Sequence, residues 1–426
     1  MNSFRDEIVG VDEHFPLLDG TEVPYINFDN AASTPCLKRV LRKVEEFLGV
    51  YSSIHRGTGF KSRLSTRIYE TARILAGEFV GYDPGAHTVI FGKNTTEAIN
   101  KLSYRLAIPE RSVIIVSQME HHSNDLPWRD KSRLLFAPVD TVDGTLDLDR
   151  LEGMIKKNRG RLFLVAITGA SNVTGNINPI DEIARLAHDA GAYLLVDGAQ
   201  LVPHRRICMG KSGESSSIDF IVYSAHKMYA PFGIGVLVAR HDLLKEEGPE
   251  YRGGGTVKAV TERQIVWADE PEMDEAGTPN VVGTIALAEA ILFFRNRGFA
   301  AIEEQENRLG RRLLEALSAI PKIELYGRRG PFVPGSRLAV VPFNIQNIPH
   351  GLVAAILAFE FGIGVRNGCF CAHPYVKLLL DVVGEREDRF LAAMAINDRR
   401  DIPGAVRVSV GFYNEEWEVD RFLQAL

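Results

Sequence analysis

A chain of 426 residues is long enough to bury a large core and to divide into two domains. Its composition, 45% hydrophobic and 24% charged, is that of an ordinary globular protein, and a net charge of −6 leaves no basic surplus to grip nucleic acid. Nucleic acid is therefore excluded as an expected partner.

The chain opens with "MNSFRDEIVGVDEHFP", where scattered acidic residues and the lack of an apolar run read as neither a signal nor a transit peptide. From Thr88 to Arg240 short apolar runs, "TVIF", "SVIIV", "RLFLVAI", "AYLLVD", "DFIVYS" and "GVLVA", read as strands buried on both faces. Between the third and fourth lies "PIDEIARLAHDAG", whose Ile180, Ile183, Ala187 and Ala190 share a helical face and whose Gly191 suits the helix stop. This alternation predicts an α/β protein with a mainly parallel central sheet flanked by helices. After Gly283 a helical stretch, "TIALAEAILFFRNRG", leads into mixed helices and strands such as "RLAVVPFNI" and "AVRVSVGFY", which predicts a smaller α+β domain towards the C-terminus. The longest apolar tract, "LVAAILAFEFGIGV", is broken by Glu360 and too short to span a bilayer, so no membrane partner is expected. Cys36, Cys208, Cys369 and Cys371 have no framework-like spacing, which fits thiols in a reducing, cytoplasmic compartment.

Ligands of open α/β sheets sit beyond the carboxyl ends of the strands, so polar residues just after each apolar run are the candidates for chemistry. Ser224, His226 and Lys227 follow "DFIVY"; the lysine is either a surface ammonium or a cleft amine able to form a Schiff base. Asp197 and Gln200 follow "LLV"; without an early G-x-G-x-x-G, the aspartate suits a protonated pyridine nitrogen. Thr95 and Thr96 open a helix with the apolar face Ile99, Leu102 and Leu106, either as an ordinary helix start or as a phosphate site. Lysine, aspartate and phosphate-binding helix together suggest pyridoxal 5'-phosphate.

The motifs "YSAHK", "VDGAQ", "SQMEHHSNDLPW", "ASNVTGN", "NTTEAIN", "YRGGG" and "AGTPN" resemble those of the class V aminotransferase family, from about Asn27 to the C-terminus. Within it the chain most resembles the group II, SufS-like cysteine desulfurases and selenocysteine lyases. The resemblance implies a fold-type I enzyme dependent on pyridoxal phosphate, with residues 26–290 as the large cofactor-binding domain and 1–25 plus 291–426 as the small one. It implies Lys227 as the Schiff-base lysine and proton carrier, Asp197 on the pyridine nitrogen, Gln200 on the ring oxygen and His121 stacked on the ring. Thr96, Ser224, His226 and the Thr95 amide would hold the phosphate, Asn172 would sit beside ring and substrate carboxylate, and Thr278 would reach the phosphate of a neighbouring subunit. A homodimer follows.

Desulfurases pass sulfur from L-cysteine to a thiolate, leaving L-alanine and an enzyme persulfide. The family carries that thiol in an "R-T-G-x-x-C" segment; "RNGCFC" aligns Cys371 with it and Arg366 with the leading arginine, while Cys369 stands where histidine is common. Cys369 as a shuttle or resolving thiol, both cysteines as buried structural thiols, and a metal site with His373 are the alternatives; the metal reading lacks a fourth ligand, and no metal is expected. Arg407 in "AVRVSVGFYN" matches the family's carboxylate-binding arginine, opposite in facing to Val406, Val408 and Val410. The insertion "LLLDVVGEREDRFLAAMAINDRR" between Cys371 and Arg407 is longer than in typical group II desulfurases and is expected to form a helical flap near the active-site mouth. Cysteine desulfuration with possible transfer to a protein acceptor is the expected activity; selenocysteine lysis, C–S lysis or another reaction of the family is the alternative.

Overall fold

The computed structural model describes residues 3–245, 247–327, 330–397 and 402–426. Seven strands form the central sheet: β1 His87–Gly92, β2 Val113–Ser117, β3 Arg133–Ala137, β4 Leu162–Thr168, β5 Tyr193–Asp197, β6 Phe220–Ser224 and β7 Gly235–Arg240. Their order is β1-β7-β6-β5-β4-β2-β3. Strand β7 runs antiparallel to both neighbours, and every other pairing is parallel.

The apolar runs become strands because neighbouring side chains alternate between two covered faces. Ile115, Val165 and Val196 pack on one side with Tyr69, Ala76 and Ile285 from the helices Phe60–Phe79 and Val281–Arg297. Ile114, Leu164 and Leu195 pack on the other with Ile99 and Leu102 of the helix Thr95–Arg105. The predicted helix before β5 spans Ile180–Asp189, and the Gly191 amide closes it on the His188 carbonyl. Strand β3 was not read from the sequence. It is an edge strand with most of its length partly exposed, so "RLLFA" lacks the continuous burial that marks its neighbours.

A second, antiparallel sheet consists of β8 Ile323–Leu325, β9 Val340–Ile345, β10 Arg366–Gly368 and β11 Ala405–Ser409, in the order β8-β9-β11-β10. Val406 and Val408 are fully buried in its core with Leu309, Leu313, Val341 and Phe343, each contributing about 1.5–3 kcal/mol. The N-terminal segment joins this core through Ile26 and Phe28, and Ile26–Asn27 pairs in parallel with Ile363–Gly364. The chain then runs along β11, where the Ser409 amide donates to the Phe28 carbonyl at 2.7 Å.

The insertion after Cys371 contains two helices, His373–Leu379 and Glu385–Ala395. The second buries no residue of its own and is tied to the first by the Lys377–Glu387 ion pair and by Phe390, whose ring lies 6.5 Å from that of His373. At the base of the insertion Gly404 passes so close to Gly368 that a Cβ on Gly404 would meet Gly368 Cα at 2.7 Å, and only glycine fits. Among the described residues, no helix is long and apolar enough to cross a membrane.

Candidate active site

The carboxyl ends of β4, β5 and β6, the start of the helix Thr95–Arg105 and the strands β10 and β11 surround a cavity of about 290 Å³. One end is a helix start. Asn94 caps the helix, its side chain accepting from the Glu97 amide at 3.0 Å, so Thr95 and Thr96 form the first turn at its positive dipole end. Ser224 Oγ accepts from the Thr95 amide at 2.7 Å and lies 2.6 Å from Thr95 Oγ1, which fixes the end of β6 to the helix start. Gly235 on β7 permits this approach: a Cβ there would meet the Asn94 carbonyl carbon at 2.3 Å.

Asp197 and Lys227 stand at the ends of β5 and just after β6. Burial raises the Asp197 pKa, opposed by the Ala199 amide at 3.0 Å and by the charge of Lys227. Burial lowers Lys227 to about 8, with Asp197 resisting the shift. Gln200 donates from Nε2 to the Ala31 carbonyl at 2.6 Å. His226 is lowered to about 4, chiefly by burial.

His121 is held neutral, its pKa pushed to about 3 by burial and by the charge of Lys227. Its Nδ1 accepts from the Ser123 amide at 3.1 Å, so the neutral ring carries its proton on Nε2. Ser123 Oγ lies 2.9 Å from the same Nδ1 and 2.6 Å from Thr96 Oγ1, linking the ring to the helix start. Next to it, the buried Glu120 accepts from the Thr168 amide at 3.0 Å and from Asn124 at 2.8 Å, and burial raises its pKa to about 8.

At the rim, Arg407 on β11 is 2% exposed. Its Nη1 donates to the Asn172 carbonyl at 2.9 Å, its Nη2 to Asp29 Oδ1 at 2.9 Å, and its buried Nε has no partner. Arg366 lies directly across the ladder from Arg407. Asn172 Nδ2 donates to the Phe370 carbonyl at 2.8 Å, and the His122 amide to the Cys371 carbonyl at 2.8 Å. These bonds hold Phe370 and Cys371 in the left-handed region, at φ 53° and 55°.

The two thiols of the turn have different environments. Cys371 is exposed and faces the cavity. Cys369 is 7% exposed, donates to the Pro403 carbonyl at 3.0 Å, and is pushed up to about 11 by burial. Its contact is with the base of the insertion, away from the cavity lining. Beside this turn the His373 amide donates to His122 Nε2 at 3.2 Å, and the two rings meet edge to face at 4.7 Å.

The residues expected to hold cofactor, substrate and sulfur line this one cavity except Thr278, which lines a separate hollow with Lys93, Glu97 and Tyr251, while Cys369 and His373 lie outside the lining. Sequence reasoning missed Asp29, Ser123, Glu120 and Phe370. Ser123 had a local signal, a hydroxyl two residues after His121; Asp29 had none, because its arginine partners lie more than three hundred positions away.

The aminotransferase class V family pattern matches residues 26–422. The chain is similar to a cysteine desulfurase of Haloferax volcanii, 30% identical over 416 residues, which cover 96% of this chain and 90% of that one. It is also similar to a cysteine desulfurase of Klebsiella pneumoniae subsp. pneumoniae, 35% identical over 425 residues, covering 97% of this chain and 95% of that one. Among solved structures, the apo structure of a cysteine desulfurase from Thermococcus onnurineus NA1 matches with a TM-score of 0.82 and 32% identity, covering 100% of this chain and 97% of that one.

Proposed function

Because the chain belongs to the class V aminotransferase family, we propose that it is a pyridoxal phosphate-dependent cysteine desulfurase of the group II, SufS-like kind, converting L-cysteine to L-alanine with a persulfide on Cys371. One observation carries this reading: a half-buried lysine and a buried aspartate share one cavity with a helix start, an exposed thiol and a buried arginine.

The donor set fits the cofactor. A buried carboxylate with a raised pKa suits a cationic ring nitrogen, and Thr95, Thr96, Ser224 and His226 surround the position a phosphate would take at the helix start. Pyridoxal phosphate, when bound, supplies an aldehyde carbon that condenses with amines and a ring that withdraws electrons from the substrate's α-carbon. Asp197 would hold the ring nitrogen protonated, Gln200 would hydrogen-bond the ring oxygen, and neutral His121 would stack on the ring. Lys227, desolvated and near neutrality, carries a proton to and from the substrate α-carbon. Arg407 and Asn172 hold the substrate carboxylate, assisted by Arg366. The Cys371 thiolate attacks the substrate sulfur; the carbon–sulfur bond breaks with its electrons going to carbon, which takes up a proton, and the new sulfur–sulfur bond is the persulfide.

In this reading the enzyme is a homodimer, Thr278 serves the neighbouring subunit's phosphate, and a protein thiol collects the sulfur. Thr278 lining a hollow of its own chain apart from the cavity supports the first two points. Residues 26–290 act as the large cofactor domain and 1–25 with 291–426 as the small one, supported by the seven-stranded sheet lying wholly in the first range and the four-stranded sheet in the second, although Ile26 and Phe28 pack in the core of the latter. The four unpaired cysteines support a reducing, cytoplasmic setting.

The test is alanine formation from L-cysteine with a reductant, for the unmodified enzyme, Cys371→Ala and Cys369→Ala. Alanine production lost in Cys371→Ala and kept in Cys369→Ala is the expected result. Full activity in Cys371→Ala, or pyruvate in place of alanine, would overturn the desulfurase reading and point to an eliminating lyase.

A further inference from the structure

Two guanidinium groups converge on one carboxylate behind the rim. Arg407 Nη2 is 2.9 Å from Asp29 Oδ1, and Arg366 Nη1 is 3.6 Å from Asp29 Oδ2. The backbone fixes this arrangement: Asp29 bridges Ser409 beside β11, its amide donates to Asn27 Oδ1 at 3.0 Å, and the Ala31 amide donates to Ser409 Oγ at 2.9 Å. Both arginines line the cavity and Asp29 does not, so the carboxylate reaches a ligand only through its effect on them.

The other charged side chains lining the cavity, Asp197 and Lys227, are opposite in sign and act on each other. The rim therefore presents two positive charges and one negative charge, a surplus of one. Arg407 also keeps its buried Nε without a partner, a donor still to be satisfied.

We propose that Asp29 is a specificity-determining residue, which neutralises one of the two guanidiniums and so matches the site to amino acids with one carboxylate and an uncharged side chain, against doubly anionic ones. This rests on the reading of Arg366 and Arg407 as carboxylate binders. Asp29 acts as a positioning residue, turning Arg407 as well as setting the charge.

The experiment uses the cofactor-loaded enzyme and two non-sulfur ligands, L-alanine and L-aspartate, with dissociation constants read from the change in visible absorption. The native enzyme binds alanine in preference to aspartate. Asp29→Asn keeps an oxygen for Arg407 and removes the charge; it shifts the preference towards aspartate by about tenfold, the scale of one screened unit charge at a cleft. Adding Arg366→Gln to that variant restores the original preference, and Arg366→Gln alone, at an exposed position, strengthens it. An unchanged preference in Asp29→Asn, or equal weakening of both ligands, would overturn the proposal alone. Should Asp29→Asn fail to fold, an unchanged preference in Arg366→Gln overturns it instead. Binding of neither amino acid to the native enzyme would overturn the amino-acid site itself and this proposal with it.

Discussion

The floor and the rim of the cavity are built differently. At the floor, Asp197, Ser224 and Lys227 extend from adjacent strands of one sheet, and the helix start that faces them is joined to β6 through Ser224. At the rim, Asp29, Asn172, Arg366, Cys371 and Arg407 come from segments far apart in the chain and are joined by single hydrogen bonds across loops and a second sheet. At the floor pKa values are shifted by burial; the rim carries an exposed thiol on a left-handed turn. In the proposed reading, proton chemistry falls to the part built on one sheet, and recognition and sulfur transfer to the part assembled over long sequence distances.

Removing the floor's amine is the most severe way to break this division. Lys227→Ala is expected to lower alanine formation by at least about a thousandfold, because in the proposed reading the lysine both condenses with the cofactor and carries the proton; cofactor titration followed by absorption should show loss of the Schiff base while the protein remains folded. At the rim, Arg407→Lys keeps charge but loses the planar fork. A loss of roughly 1.5–3 kcal/mol for a charged hydrogen bond predicts a KM for L-cysteine raised about 10- to 100-fold with a smaller change in kcat. Equal losses in both constants would show that the rim takes part in the chemical step.

The floor also makes a pH prediction. Lys227 is lowered to about 8, so its amine is protonated below that pH and neutral above it. The rate at which the apoprotein takes up pyridoxal phosphate should rise about tenfold from pH 7 to pH 9 and then level, as the neutral fraction does. A rise continuing to pH 10 would show an exposed, ordinary lysine. The smallest effect is expected at Ser123→Ala, which loses the hydroxyl contact to His121 and Thr96: a hydrogen bond of about 1 kcal/mol gives roughly a fivefold fall in kcat at unchanged KM. Ser123→Thr should recover it, and an NMR titration of His121 should move only in the alanine variant.

What the sequence disclosed follows the same division. Floor residues were legible because each sits immediately after an apolar run, where an α/β sheet exposes its strand ends, and Thr95 and Thr96 open a periodic helix. Arg366 and Arg407 were found through family motifs, whereas the close pair Cys369 and Cys371 marked a reactive thiol or metal ligand by itself and the motif picked out Cys371. Asp29 and Phe370 escaped because their roles exist only after "FDNAAST", β11 and the turn at Cys371 meet in space. The edge strand β3 escaped for a different reason: half-exposed "RLLFA" has neither a buried run nor a clean alternation. Cys369 shows the reverse limit. Two thiols one residue apart look equivalent in composition, and in the structure one is buried against Pro403 while the other is exposed on the cavity.

That contact, with the touching backbones of Gly368 and Gly404, also means that the chain leaves and re-enters the rim at one point. The segment between begins inside the main core, through the buried Tyr375 and Val376, and its outer helix, Glu385–Ala395, buries no residue of its own. A change confined to that helix leaves the pairing of the strands that carry Arg366 and Arg407 as it is.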